Sequence, residues 1–260
     1  MSLVRLALCD GVGILTLDNP PLNLMTRELT HDLMDTLRVV EANREVRTVV
    51  VCGAGPRAFS AGSDIKEFPS LMDRGTVVEE KLSFENDAFD RLAGLAQPTI
   101  AAIGGLTLGG GAELALCCDY RIMSADARIG FPEIHLGAMP GSGGLSRLPR
   151  LIGASRAMGL LLDGNPIGAH RAIEMGLVNE VVQDSPIEGA IARAKEWASR
   201  ASVAARAIKQ GVLQVSRAKI AAEVKESLEV SRAIFATSDM REGVAAFLEK
   251  RSPRFQGTER

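Results

Sequence analysis

Residues 98–131 read PTIAAIGGLTLGGGAELALCCDYRIMSADARIGF, and the order of apolar runs and glycines in this stretch decides the fold class. Thr99–Ile103 is a continuous apolar run of strand length, closed by Gly104 and Gly105. The triplet Gly109-Gly110-Gly111 then opens an apolar helix over 112–117, followed by a strand near 120–123 and a short extended piece at 128–131. Strands that alternate with helices need crossover connections, so the stretch predicts an α/β protein with a largely parallel sheet.

Toward the N-terminus, apolar runs at 4–8 and 14–17 flank Asp10-Gly11-Val12-Gly13, which predicts a β-hairpin. Beyond Asn19-Pro20-Pro21, Thr26 is placed to cap a helix carrying Leu29, Leu33, Met34, Leu37 and Val40 on one face, leading into a strand at 48–52. The irregular segment 53–64 is rich in glycine, and an amphipathic stretch at about 77–96 returns the chain to Pro98. Toward the C-terminus, strand signals stop near Ser185, and helices are expected at 187–200, 203–218, 220–236 and 243–250. The expected organisation is an α/β core over 1–185 and a helical region over 186–260, whose alanine-rich faces suit close packing within the chain or between subunits.

Composition bounds the function. With 260 residues and 46% hydrophobic content the chain can bury a substantial core. Thirty basic against 32 acidic side chains give a formal charge of −2, no general field for a polyanion, so any phosphate site must be local. The first residues lack a basic segment followed by a sustained apolar run, and no stretch approaches the ~18 apolar residues of a membrane span. Cys9, Cys52, Cys117 and Cys118 form no C-x-x-C pair and read as free thiols, which fits a reducing cytoplasm. His31, His135 and His170 show no ligand spacing, so no metal is expected. Nucleotide P-loop, dinucleotide and serine-hydrolase signatures are absent.

Two segments can present free backbone N–H groups. In AFSAGSDIKEF (58–68), small residues precede a helix start near Asp64; in LGGGAE (108–113), three glycines lead into another. Each is ordinary by itself, a capped turn or a packing feature. Together they offer a pair of N–H donors for a developing oxyanion, which chemistry beside a thioester carbonyl requires. Glu113 sits in the first turn of an otherwise apolar helix, where it either complements the helix dipole or is a desolvated proton-transfer group. Glu133, in IGFPEI (129–134), has apolar neighbours on both sides, although a loop glutamate is ordinarily solvated.

Taken in order, AFSAGSDIKEF, GGLTLGGGAELALCCDYRI, FPEIHLGAMPGSGGLSRLPRLIG and EGVAAFLEKRSPRF resemble blocks of the enoyl-CoA hydratase/isomerase (crotonase) superfamily, most closely the hydratases, over nearly the whole chain. The resemblance implies a spiral of ββα units followed by a C-terminal helical region that builds trimers, commonly paired into hexamers. It implies an oxyanion hole from the amides of Ser63 and Gly110, and Glu113 and Glu133 as catalytic acids. Ala61, Ser63, Ile65 and Lys66 match a loop that contacts coenzyme A, which is part of the substrate rather than a separate cofactor. Phe247 and Lys250 match positions near the nucleotide, supplied in relatives by a neighbouring subunit. The acyl-pocket wall is expected from 68–89, and Ser63 departs from the alanine usual in hydratases. The implied reaction is a lyase step of fatty acid metabolism, reversible syn addition of water to a 2-enoyl-CoA to give a 3-hydroxyacyl-CoA.

Two other readings follow the same chain. A Δ3-Δ2-enoyl-CoA isomerase, or another acyl-CoA lyase of this type, shuttles a proton and does not need Glu113 as a base for water. A non-catalytic RNA-binding or scaffold role meets the 4% aromatic content and the lack of a basic tract, which leave little for stacking or phosphate contact.

Overall fold

The structure, a computed structural model, describes residues 2–256, without the side chains of 215–218. The chain opens with β1 (Val4–Cys9) and β2 (Val12–Leu17), joined through Asp10 and Gly11, both at positive φ, the two-residue turn that suits strand twist. In α1 (Arg27–Ala42), Thr26 accepts a hydrogen bond from Leu29 N–H, and the expected stripe of Leu29, Leu33, Met34, Leu37 and Val40 is buried. Three strand-strand-helix passages follow. The first is β3 (Thr48–Gly53), β4 (Ala58–Ser60), α2 (Phe68–Arg74) and α3 (Ser83–Gly94). The second is β5 (Thr99–Ile103), β6 (Leu106–Leu108) and α4 (Gly110–Leu116). The third is β7 (Tyr120–Ser124), β8 (Arg128–Gly130), α5 (Gly144–Ile152) and α6 (Ala154–Asp163). The chain ends through β9 (Ile167–Gly168), α7 (Ala169–Glu174), β10 (Glu180–Val182), α8 (Pro186–Ala198), α9 (Ser202–Phe235) and α10 (Ser238–Glu249).

Each passage gives its first strand to one sheet and its second to another. The six-stranded sheet runs β1-β2-β3-β5-β7-β10, parallel except for the hairpin, and the four-stranded sheet runs β4-β6-β8-β9, with β4, β6 and β8 parallel. This is the expected ββα spiral. Every residue of β3 and β5 is buried, as a parallel sheet covered on both faces requires. On one face Val49, Val51, Ala101 and Ile103 pack with the apolar stripes of α1 and α3; on the other, Val50, Ile100 and Ala102 meet Ala190, Ala194 and Ala198 of α8.

Helix boundaries differ from expectation most at three places. The segments 203–218 and 220–236 form one helix, α9, because Lys219 is a good helix former and no proline interrupts there. The last helix starts at Ser238, because Thr237 caps it through a bond from Met240 N–H. Likewise α4 starts at Gly110, two residues ahead of the first side chain with helix propensity. Among the described residues, no helix is long and apolar enough to cross a membrane.

Candidate active site

The spiral explains how residues distant in sequence meet. Strands β4, β6 and β8 are parallel neighbours, so the segments that leave their C-terminal ends emerge side by side. After β4 comes Ala61-Gly62-Ser63; after β6, Gly109 and α4; after β8, Phe131 and the tight turn Pro132–Leu136 that carries Glu133. The approach is close enough to exclude side chains: a Cβ on Gly62 would lie 2.7 Å from Leu108 O, and one on Gly111 only 2.2 Å from Ser60 O. Ser63 Oγ lies 3.6 Å from the position of a Cβ on Gly110. Among the described residues, neither the Ser63 N–H nor the Gly110 N–H, the latter at the first position of α4, donates to a protein acceptor. The expected donor pair is therefore free and adjacent.

Glu113 is buried, and its Oε1 accepts two backbone bonds, from Ser142 N–H at 2.8 Å and Gly144 N–H at 2.7 Å. Oε2 takes no such bond. Glu133 approaches from the neighbouring turn, its Oε1 3.2 Å from where a Cβ on Gly109 would stand and its Oε2 buried without a partner. Burial pushes the Glu133 carboxyl up to about 7, with the charge of Glu85 adding to the shift. Burial also holds Glu113 well above the usual carboxylate range, helped by repulsion from Glu133 and then Glu85 and opposed by the two N–H donors. Both acids read from the sequence thus meet at one place, in an environment that disfavours charge on both at once.

Two further residues complete the cluster. Glu85 of α3 is buried, with its Oε1 accepting from Ser142 Oγ at 2.5 Å and lying 3.0 Å from the Cβ position of Gly110. Ser142 thereby bridges Glu85, through its hydroxyl, and Glu113, through its amide. Behind Glu85 the buried Lys81 donates to Met25 O and to Glu67 Oε2, both at 2.8 Å, and stays 4.0 Å from Glu85 Oε2. A signal for Glu85 exists in the sequence. It falls three residues after Leu82 and four before Phe89, in phase with the buried stripe of α3, where a solvated glutamate does not belong.

The residues expected at coenzyme A divide into two groups. Ala61, Ser63 and Ile65, half-buried, and Lys66, exposed, lie on the segment that leaves β4, where Asp64 caps the turn Ile65–Glu67. Phe247, exposed, and Lys250, at positive φ, lie at the far end of α10. That helix docks on its own chain: Met240 and Val244 pack with Phe68 and Leu71 beside Ile65, and Gly243 lies against Leu136, the last residue of the Glu133 turn.

The sequence model of the enoyl-CoA hydratase/isomerase family matches residues 8–258. A probable enoyl-CoA hydratase of Bacillus subtilis is 37% identical over 99% of this chain and 100% of its own. A crotonyl-CoA hydratase of Syntrophomonas wolfei is 33% identical over 95% of each. Among solved structures, an enoyl-CoA hydratase from Mycobacterium avium subsp. paratuberculosis superposes with a TM-score of 0.86 at 25% identity, covering 98% of both chains. With the spiral, the paired turns and these matches together, the chain belongs to the enoyl-CoA hydratase/isomerase family.

Proposed function

We propose that this protein is an enoyl-CoA hydratase, adding water reversibly to a 2-enoyl-CoA thioester to give the 3-hydroxyacyl-CoA. The observation that carries the reading is the meeting of Glu113 and Glu133 beside two free N–H groups, since isomerisation needs one carboxyl and hydration uses two. In this reading the N–H groups of Ser63 and Gly110 hold the thioester oxygen and stabilise the negative charge that arrives there as C3 is attacked. Glu113 takes a proton from water as the hydroxyl adds to C3, and Glu133 gives its proton to C2 as the enolate collapses. One proton leaves water and one arrives at carbon, so the pair holds one proton throughout. This reading places the starting proton on Glu133: two N–H donors on Glu113 Oε1 support charge there, while Oε2 of Glu133 is buried without a partner.

The loop of Ala61, Ile65 and Lys66 is proposed to hold the coenzyme A portion, with Phe247 and Lys250 closing on the nucleotide. The helical region 186–260 is proposed to assemble trimers or hexamers, supported by Val203, Ile208 and Val212 of α9, which are large, apolar and exposed. Crotonyl-CoA turnover with 3-hydroxybutyryl-CoA as product tests the reading; conversion of a 3-enoyl-CoA to the 2-enoyl isomer without hydration favours the isomerase.

A further inference from the structure

Beyond the two acids, the site contains buried polar atoms that its chemistry does not use. Glu85 Oε2, Asn86 Oδ1 and Ser231 Oγ are all buried without a hydrogen-bond partner. They cluster around two residues: Glu85 accepts from Ser142 Oγ, Asn86 Nδ2 donates to Gly141 O at 2.8 Å, and Ser231 Oγ is 3.6 Å from the Cβ position of Gly141. Leaving one such atom unsatisfied costs about 1–3 kcal/mol, and a wall built for plain alkyl chains would carry leucine or phenylalanine there.

The chemistry of the unmet atoms states what would meet them. A carboxylate oxygen and an amide oxygen accept, and a hydroxyl can accept as well as donate, so one donor chemistry can meet all three. A cationic donor is disfavoured, because the Lys81 ammonium stands 4.0 Å from Glu85 Oε2. A neutral hydroxyl fits. Its place along the substrate is near the thioester, because the other oxygen of Glu85 lies 3.0 Å from the Cβ position of Gly110. Lys81 donates to Glu67 at 2.8 Å, while its 4.0 Å ion pair with Glu85 Oε2 is too long for a hydrogen bond and leaves that oxygen without a donor.

Resting on the acyl-CoA reading above, we propose that Glu85 is a specificity-determining residue: its free oxygen accepts a hydrogen bond from a hydroxyl on the acyl chain, so hydroxylated acyl thioesters are preferred to alkyl ones of equal length. Calorimetric titration of the full-length protein with 4-hydroxybutyryl-CoA against butyryl-CoA, and with 5-hydroxyvaleryl-CoA against valeryl-CoA, tests this without requiring turnover. The expected result is about tenfold tighter binding of the hydroxylated member of at least one pair. Glu85→Leu removes that preference, and Glu85→Gln, which retains an acceptor, keeps most of it. Equal affinity within both pairs overturns the proposal, as does a preference that persists in Glu85→Leu. Should Glu85→Leu not fold, the wild-type ratios still decide. Failure of all four thioesters to bind removes the acyl-CoA reading itself, whereas binding without discrimination removes the role of Glu85 alone.

Discussion

The backbone N–H of Ser142 donates to Glu113 Oε1 at 2.8 Å, tying the loop ahead of α5 to the first turn of α4. With the 2.7 Å bond from Gly144 N–H, it fixes one oxygen of the carboxyl and leaves the other without a backbone donor. A buried acid held this way is oriented by main chain rather than by packing, so its direction survives changes in neighbouring side chains.

The pairing of the acids predicts a pH dependence. In the proposed mechanism Glu133, raised to about 7 by burial, starts protonated and supplies C2 in the hydration direction. Hydration kcat/KM is therefore expected to fall as pH rises through about 7, with Glu133→Gln removing this limb along with most of the rate. A profile flat from pH 6 to 9 contradicts the assignment.

The same shift makes a statement about stability. A carboxyl whose folded pKa lies above its unfolded value keeps its proton longer in the folded state, so folding loses stability as pH rises between the two values. For Glu133 that window runs from about 4.5 to about 7. Glu133→Gln is expected to match wild type below the window and to gain on it above, by roughly 1–3 kcal/mol, in urea unfolding at pH 4 and pH 8.

Packing at the meeting of the turns gives a third test. A Cβ on Gly111 would stand 2.2 Å from Ser60 O, a backbone atom that moves only with β4. Gly111→Ala is expected to cost about 1–3 kcal/mol or more and to separate the two N–H donors. Thermal unfolding and crotonyl-CoA turnover should fall together.

The exposed apolar side chains of α9 give a fourth. Ile208→Asp places a charge beside Val212, one turn on along α9, and is expected to shift mass in light scattering from trimer or hexamer toward monomer. An unchanged mass locates the subunit contact elsewhere.

Much of this site was legible because its geometry is local. The glycine triplet and the 58–64 segment each mark a strand end followed by a tight start of helix, and the repeat places those ends side by side. Glu113 and Glu133 could be read because a carboxyl amid apolar neighbours conflicts with its surroundings. Glu85 lay within the expected pocket wall but was hidden by composition: in VVEEKLSFEND it is one acid among several, and only the helical phase set by Leu82 and Phe89 turns it inward. Ser142 was hidden for another reason. Its contacts to Glu85 and Glu113 span 57 and 29 residues, a distance over which no periodicity in sequence reports. The single run of α9 was misread because weak local breaks count for little in a chain of good helix formers.

The account rests on two carboxyls acting together on water and an activated thioester. The most direct measurement is the rate of crotonyl-CoA hydration by wild type, Glu113→Gln and Glu133→Gln, each confirmed folded. The expected result is a loss of about 10²–10⁴ in kcat for each single variant. A Glu113→Gln enzyme that hydrates crotonyl-CoA within tenfold of wild type contradicts the paired mechanism.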